Sequence, residues 1–301
     1  MVGAGAVGAY YGARLQRVGN RVAFLLRSDL ESVRQHGFRI RAADGAFDLP
    51  EVEAYASTRE MGTCNLVIIA LKATSNSLLP TLLPPLIGPD TVLLTLQNGL
   101  GGDAFLAEHF GRERVLAGLC FVCLNRTAPG LIENAIEGYI TLGAFDGHVD
   151  GRVEEVARIF REAGVRIHLS DDIPAVRWRK LVWNIPFNGL TITAGGVPTD
   201  RILSDPSLVA EVRLLMAEVA RASTAFGHEI PASFLDRQIE LTGPMGAYQP
   251  SSLVDFLAGR EVELEAIWGE PLRQAEAAGV SMPRLRRLYQ AIRQAIADRG
   301  G

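Results

Sequence analysis

At 301 residues, with 48% hydrophobic and 21% charged side chains, the chain is long enough for two domains with separate cores and has the balance of a soluble globular protein. The net charge of −4 is shared evenly, because residues 1–170 carry 16 basic and 18 acidic side chains of the 30 and 34 in all; neither part has the basic excess that a nucleic-acid partner requires. No apolar run reaches the roughly 18 residues of a membrane span, the N-terminus lacks a secretory pattern, and three cysteines, an odd number, argue against a disulfide framework and for a cytoplasmic protein.

The chain opens Met1-Val2 and then Gly3-Ala4-Gly5-Ala6-Val7-Gly8, the G-x-G-x-x-G spacing of a dinucleotide-binding turn. The first glycine turns the chain out of a strand, the second lets backbone approach a pyrophosphate, and the third lets the next helix pack on the sheet. Ala6 to Val18 suits that helix, Gly19-Asn20 its stop, and Arg21 to Leu26 a buried strand, which completes a β-α-β unit. Only two residues precede Gly3, so the first strand is expected to lack its opening.

Ser28-Asp29-Leu30-Glu31 has the form of a capping box. Phe38 to Leu49, with Asp44-Gly45 inside, predicts two short strands. Buried strands are predicted at Leu66–Leu71, Thr91–Leu96, Val115–Leu124, Tyr139–Leu142 and Val165–Leu169. Helices are predicted at Asp103–Phe110 and Val153–Ala163, and a proline-broken helical stretch at Ser77–Leu86. Beyond Asp172 the pattern is helical throughout. The fold class expected is α/β: a Rossmann-type, doubly wound parallel sheet over residues 1–170, which binds the cofactor, followed by an all-helical substrate domain over residues 171–301.

The residue ending the second strand selects the cofactor in such a unit. Here it is Arg27, with no carboxylate until Asp29, and a guanidinium fork fits the 2′-phosphate of NADP(H); the plain alternative is a surface arginine on a loop. Only Lys72 and Lys180 are lysines in a chain rich in arginine, so these two positions call for an ammonium that can release a proton, or are chance survivals. Lys72 follows the C-terminal end of a buried strand. Lys180, Asn184 and Asn188 stand at i, i+4 and i+8 on one helical face, beside Trp183 and Phe187, with Pro186 expected to kink the helix. The plain alternative is a polar stripe at a domain seam. Cys120 and Cys123 lie three apart in a predicted strand, hence on opposite faces, and the five histidines are scattered; no metal site is expected.

These residues together resemble the ketopantoate reductase (2-dehydropantoate 2-reductase) family over nearly the whole chain. The anchors are Gly3-Ala-Gly5-Ala-Val-Gly8, Leu71-Lys72-Ala73, Gln97-Asn98-Gly99-Leu-Gly101, Trp178-Arg-Lys180-Leu with Asn184 and Asn188, and Ser251-x-x-x-Asp255 followed by Gly259-Arg260 and Glu263. The resemblance implies that Arg27 and Lys72 meet the NADPH phosphates and that Asn98 serves cofactor and substrate. It implies that Lys180 is the general acid, that Asn184 and Asn188 hold the substrate's distal hydroxyl and Ser251 its carboxylate, and that Glu263 completes the polar site. Val262 stands where the family usually has a small polar residue, and the sequence around Gly195-Gly196-Val-Pro is not the family's commonest version.

The expected activity is NADPH-dependent reduction of a small branched 2-oxo acid, ketopantoate to pantoate in coenzyme A synthesis, in a cytoplasmic protein for which a homodimer is left open. The rival readings are a paralogue reducing another 2-oxo acid and a non-catalytic NADP(H) sensor.

Overall fold

The computed structural model describes residues 1–300. The chain divides into two compact units, the first comprising Met1–Asn98 and Gly102–Ile173, the second Gly99–Gly101 and Pro174–Gly301.

The first unit holds, in order, α1 (Ala6–Arg17), β1 (Ala23–Leu25), α2 (Leu30–His36), β2 (Phe38–Ala42), β3 (Gly45–Leu49), β4 (Glu53–Tyr55), β5 (Cys64–Ile69), α3 (Leu79–Leu82), β6 (Ile87–Thr95), α4 (Gly102–Phe110), β7 (Val115–Phe121), β8 (Leu124–Ala128), β9 (Leu131–Asn134), β10 (Tyr139–Ala144), α5 (Gly151–Glu162) and β11 (Arg166–Leu169). Five strands line up as β11-β10-β7-β6-β5, and β1 pairs with β4. Val2 joins the two groups through parallel bridges to Ile69 on one side and Leu25 on the other. The short opening forms no strand of its own but pairs at this one position: Val2 donates to Ile68 O, Ala70 to Val2 O and Leu25 to Met1 O. The Met1 ammonium, buried at the start of this central line, donates to Ala23 O at 2.7 Å, and desolvation lowers its pKa from 8.0 to about 6.

The pleat explains why these runs are apolar on both faces. Ile68 and Leu94 belong to a core with Ala9, Ala13, Phe24 and Phe160, whereas Val67, Ile69 and Leu93 belong to another with Leu79, Leu83 and Leu106. Every pairing in the five-strand group is parallel except that of β7 with β10, so β10 and β11 run together against β5, β6 and β7. A second sheet, β3-β2-β9-β8, was not legible beyond its first hairpin. The run predicted as one strand to Leu124 ends at Phe121, and Leu124–Asn134 folds back as the β8–β9 hairpin, whose first strand carries Asn125, Arg126 and Thr127 in a row.

The capping box does not form. Asp29, not Ser28, occupies the cap position of α2, and its carboxylate accepts from Ser28 Oγ rather than from a helix amide.

The second unit is helical: α6 (Ile173–Thr193, which starts at the last residue of the first unit), α7 (Thr199–Ser204), α8 (Pro206–Ala225), α9 (Ala232–Thr242), α10 (Ser251–Leu257), α11 (Glu270–Ala277) and α12 (Pro283–Gly300). One π-helical turn, Glu265–Gly269, precedes α11. Its core gathers Trp178, Leu181, Val182, Ile185 and Phe187 of α6 with Val212, Leu215 and Met216 of α8, and with Trp268.

Candidate active site

The glycine turn has the geometry its spacing predicts. Gly3 has φ +91°, and a Cβ there would lie 2.7 Å from the Leu71 backbone nitrogen; a Cβ on Gly8 would overlap the Gly3 carbonyl oxygen. Gly5, exposed at the cap of α1, faces open space, and no side chain caps the helix. The first-turn amides at Ala6, Val7 and Gly8 thus lie beside a glycine whose missing side chain leaves room for an anion. That arrangement fits a pyrophosphate. Ala4 differs from its neighbours, since it spends its N–H on Leu25 O.

Gln97 organises the strand ends nearby. Its buried side-chain amide donates to Leu71 O at 3.0 Å and to Asn76 Oδ1 at 2.7 Å, and its oxygen accepts from Thr95 Oγ1. The ends of β5 and β6 are thereby tied, which places Lys72, half-buried before a 3-10 turn, and Asn98, also half-buried. Arg27 is exposed just beyond β1. One residue that sequence reasoning missed lies alongside. Arg126 of β8 pairs with Asp29 Oδ1 at 2.9 Å and reaches Ser28 Oγ at 3.4 Å.

In the second unit, α6 runs through Pro186 as one helix. Lys180 is half-buried, and Asn184 and Asn188 are buried. Asn188 Oδ1 accepts from Ser252 N at 2.9 Å, so this asparagine holds the start of α10, whose first residue is the exposed Ser251. Glu263 is buried just before the π turn, and its carbonyl accepts from Ile267 N. That turn is fastened to α6 by Trp268, whose indole donates to Ile185 O at 3.0 Å, and Gly189 admits it, because a Cβ there would lie 3.0 Å from the indole nitrogen.

The Gly99–Gly101 segment belongs to the same arrangement. Leu100 N donates to Ala266 O, Arg177 Nη1 donates to Gly99 O at 3.0 Å, and Gly99 has φ +77°, with no room for a side chain against Ala266. Trp183 is oriented by its indole bond to Thr242 Oγ1 at 2.8 Å and stacks on Phe187. Trp268 and Arg177 were legible only as core and surface residue types; their partners lie 83 and 78 positions away in sequence.

The second unit thus carries a half-buried ammonium and two buried amides on α6, and a buried carboxylate before the π turn. Among the described residues no group of three His, Cys, Asp or Glu side chains could hold a metal, and no helix is long and apolar enough to cross a membrane.

The comparisons agree over the full length. Residues 1–147 match the family model described as ketopantoate reductase PanE/ApbA, and residues 172–296 match its C-terminal counterpart. A 2-dehydropantoate 2-reductase of Nostoc sp. is 40% identical over 97% of this chain and 93% of its own. The solved structure of a 2-dehydropantoate 2-reductase from Geobacter metallireducens is 42% identical and superposes with a TM-score of 0.95, covering 98% of each chain. That from Methylococcus capsulatus is 33% identical with a TM-score of 0.87, covering 97% of this chain and 94% of the other. Two family models spanning both halves, and relatives this similar over their whole length, place the chain in the ketopantoate reductase family.

Proposed function

We propose that this chain reduces a small branched 2-oxo acid with NADPH, converting 2-dehydropantoate to pantoate. The observation that carries the reading is the stripe on α6, in which Lys180, Asn184 and Asn188 recur every four residues and the last is bonded to the helix that starts at Ser251. The reactions named for the relatives above support the same substrate.

NADPH, when bound, supplies a hydride to the ketone carbon. The Gly5 cradle and the amides of Ala6, Val7 and Gly8 would hold its pyrophosphate, and Arg27 and Lys72 its outer phosphates. Charge then develops on the carbonyl oxygen, and Lys180 would stabilise it as a cation and donate the proton. Buried Glu263 would orient that ammonium. Asn98 would position the reacting groups, Asn184 and Asn188 would bind the hydroxyl, and Ser251 the carboxylate. Arginine could not replace Lys180, because its guanidinium keeps its proton.

The test is oxidation of NADPH followed at 340 nm with a panel of 2-oxo acids, ketopantoate among them, and NADH as the second cofactor. A kcat/KM for ketopantoate well above every other acid supports the reading. A different best substrate would make the chain a paralogous reductase, and cofactor binding without turnover a sensor.

A further inference from the structure

We propose that Arg126 sets cofactor preference by masking the Asp29 carboxylate, so that the loop after β1 presents net positive charge to the 2′-phosphate of NADPH; this rests on the NADPH reading above. The segment Leu26-Arg27-Ser28-Asp29 stands where a dinucleotide fold reads the adenosine ribose. A carboxylate there accepts a bond from a ribose 2′-hydroxyl and repels a phosphate.

Asp29 is such a carboxylate, and it is buried, 6% exposed. Asp29 occupies the cap position of α2, where its backbone oxygen accepts from Val33 N but its carboxylate accepts no bond from that helix. The Asp29 Oδ1 instead accepts from Ser28 Oγ at 2.9 Å and forms an ion pair with Arg126 Nη1 at 2.9 Å. Arg126 arrives from β8, nearly a hundred positions along the chain, and its Nη1 also reaches Ser28 Oγ at 3.4 Å. With Arg126 in place the two side chains cancel, and Arg27 sets the charge that a ligand meets. Without it, Asp29 and Arg27 cancel instead, and an acceptor for the 2′-hydroxyl is exposed. Arg126 is a positioning residue: it acts through Asp29 and leaves phosphate contact to Arg27.

The experiment measures binding of 2′,5′-ADP and 5′-AMP by titration calorimetry, since these probes differ only in the 2′-phosphate, together with the NADPH-to-NADH ratio of kcat/KM. Arg126→Ala and Arg126→Gln should each weaken 2′,5′-ADP about tenfold or more, the size of one charge-assisted interaction. They should leave 5′-AMP within about twofold and move the kinetic ratio toward NADH. Adding Asp29→Asn to either should recover most of the lost 2′,5′-ADP affinity, whereas it should not rescue Arg27→Ala. If both probes weaken equally, or if Asp29→Asn restores nothing, Arg126 merely pins the β8–β9 hairpin and the proposal is overturned. A parent enzyme that does not distinguish the two probes would overturn the NADPH reading itself, and this proposal with it.

Discussion

Asn188 and Ser252, 64 positions apart, are joined by a buried hydrogen bond of 2.9 Å in which the asparagine side-chain oxygen takes the backbone N–H at the start of α10. The bond makes one residue of α6 responsible for where Ser251 stands.

Asn188→Ala should leave the Ser252 N–H buried without its acceptor, at a cost of about 1–3 kcal/mol. The melting temperature should fall by several degrees. The KM for the 2-oxo acid should rise, through the lost contact of Asn188 with the hydroxyl and through the loosened Ser251, while the KM for NADPH stays put. Asn188→Asp keeps the acceptor and should recover most of the stability. An unchanged melting temperature in the alanine variant would show that the amide finds another partner.

Lys180→Ala should lower kcat by about 10²–10⁴ and leave cofactor affinity unchanged. Lys180→Arg is the sharper probe. It keeps the charge but not the transferable proton, so substrate binding should survive, kcat should fall, and the alkaline limb of the pH profile should vanish. Parental kcat with the same alkaline limb would move the acid elsewhere.

In the chain that begins at Met1, the buried α-amine should make stability pH-dependent in a defined window. Its pKa falls from 8.0 in the unfolded chain to about 6 in the folded one, chiefly by desolvation. Between these values the unfolded state binds more protons, so stability should rise with pH from about 6 to 8 and level off above. The full change is about 2–3 kcal/mol. Denaturation midpoints of the chain beginning at Met1, measured at pH 6 and pH 8.5 with and without N-terminal acetylation, test this. If acetylation leaves the slope in that window unchanged, other groups produce it.

Glu218 of α8 is buried, and its carboxylate accepts from Arg284 N at 3.0 Å and Leu285 N at 3.0 Å, capping α12 from a neighbouring helix. Glu218→Ala should cost about 2–3 kcal/mol, because two helix donors lose a charged acceptor. Glu218→Gln should cost less. Urea denaturation measures both, and kcat per folded molecule should not change. A loss below about 0.5 kcal/mol for the alanine variant would mean that water caps α12 equally well.

What the sequence determined by itself is what depends on near neighbours. The glycine turn was legible because positive φ at Gly3 and the close approach at Gly8 exclude every other residue. The strands of the main sheet were legible because burial on both faces leaves unbroken apolar runs, and the face of Lys180, Asn184 and Asn188 because helical periodicity alone aligns them. The tertiary structure alone decided which strands pair, that β10 runs antiparallel to β7, and that Leu124–Asn134 turns back into a second sheet. It alone brought Arg126 to Asp29, Trp268 to Ile185 and Asn188 to Ser252. The reason is physical: a buried donor takes whichever acceptor the packed chain carries to it, and with tens of residues intervening no local pattern records which one that will be.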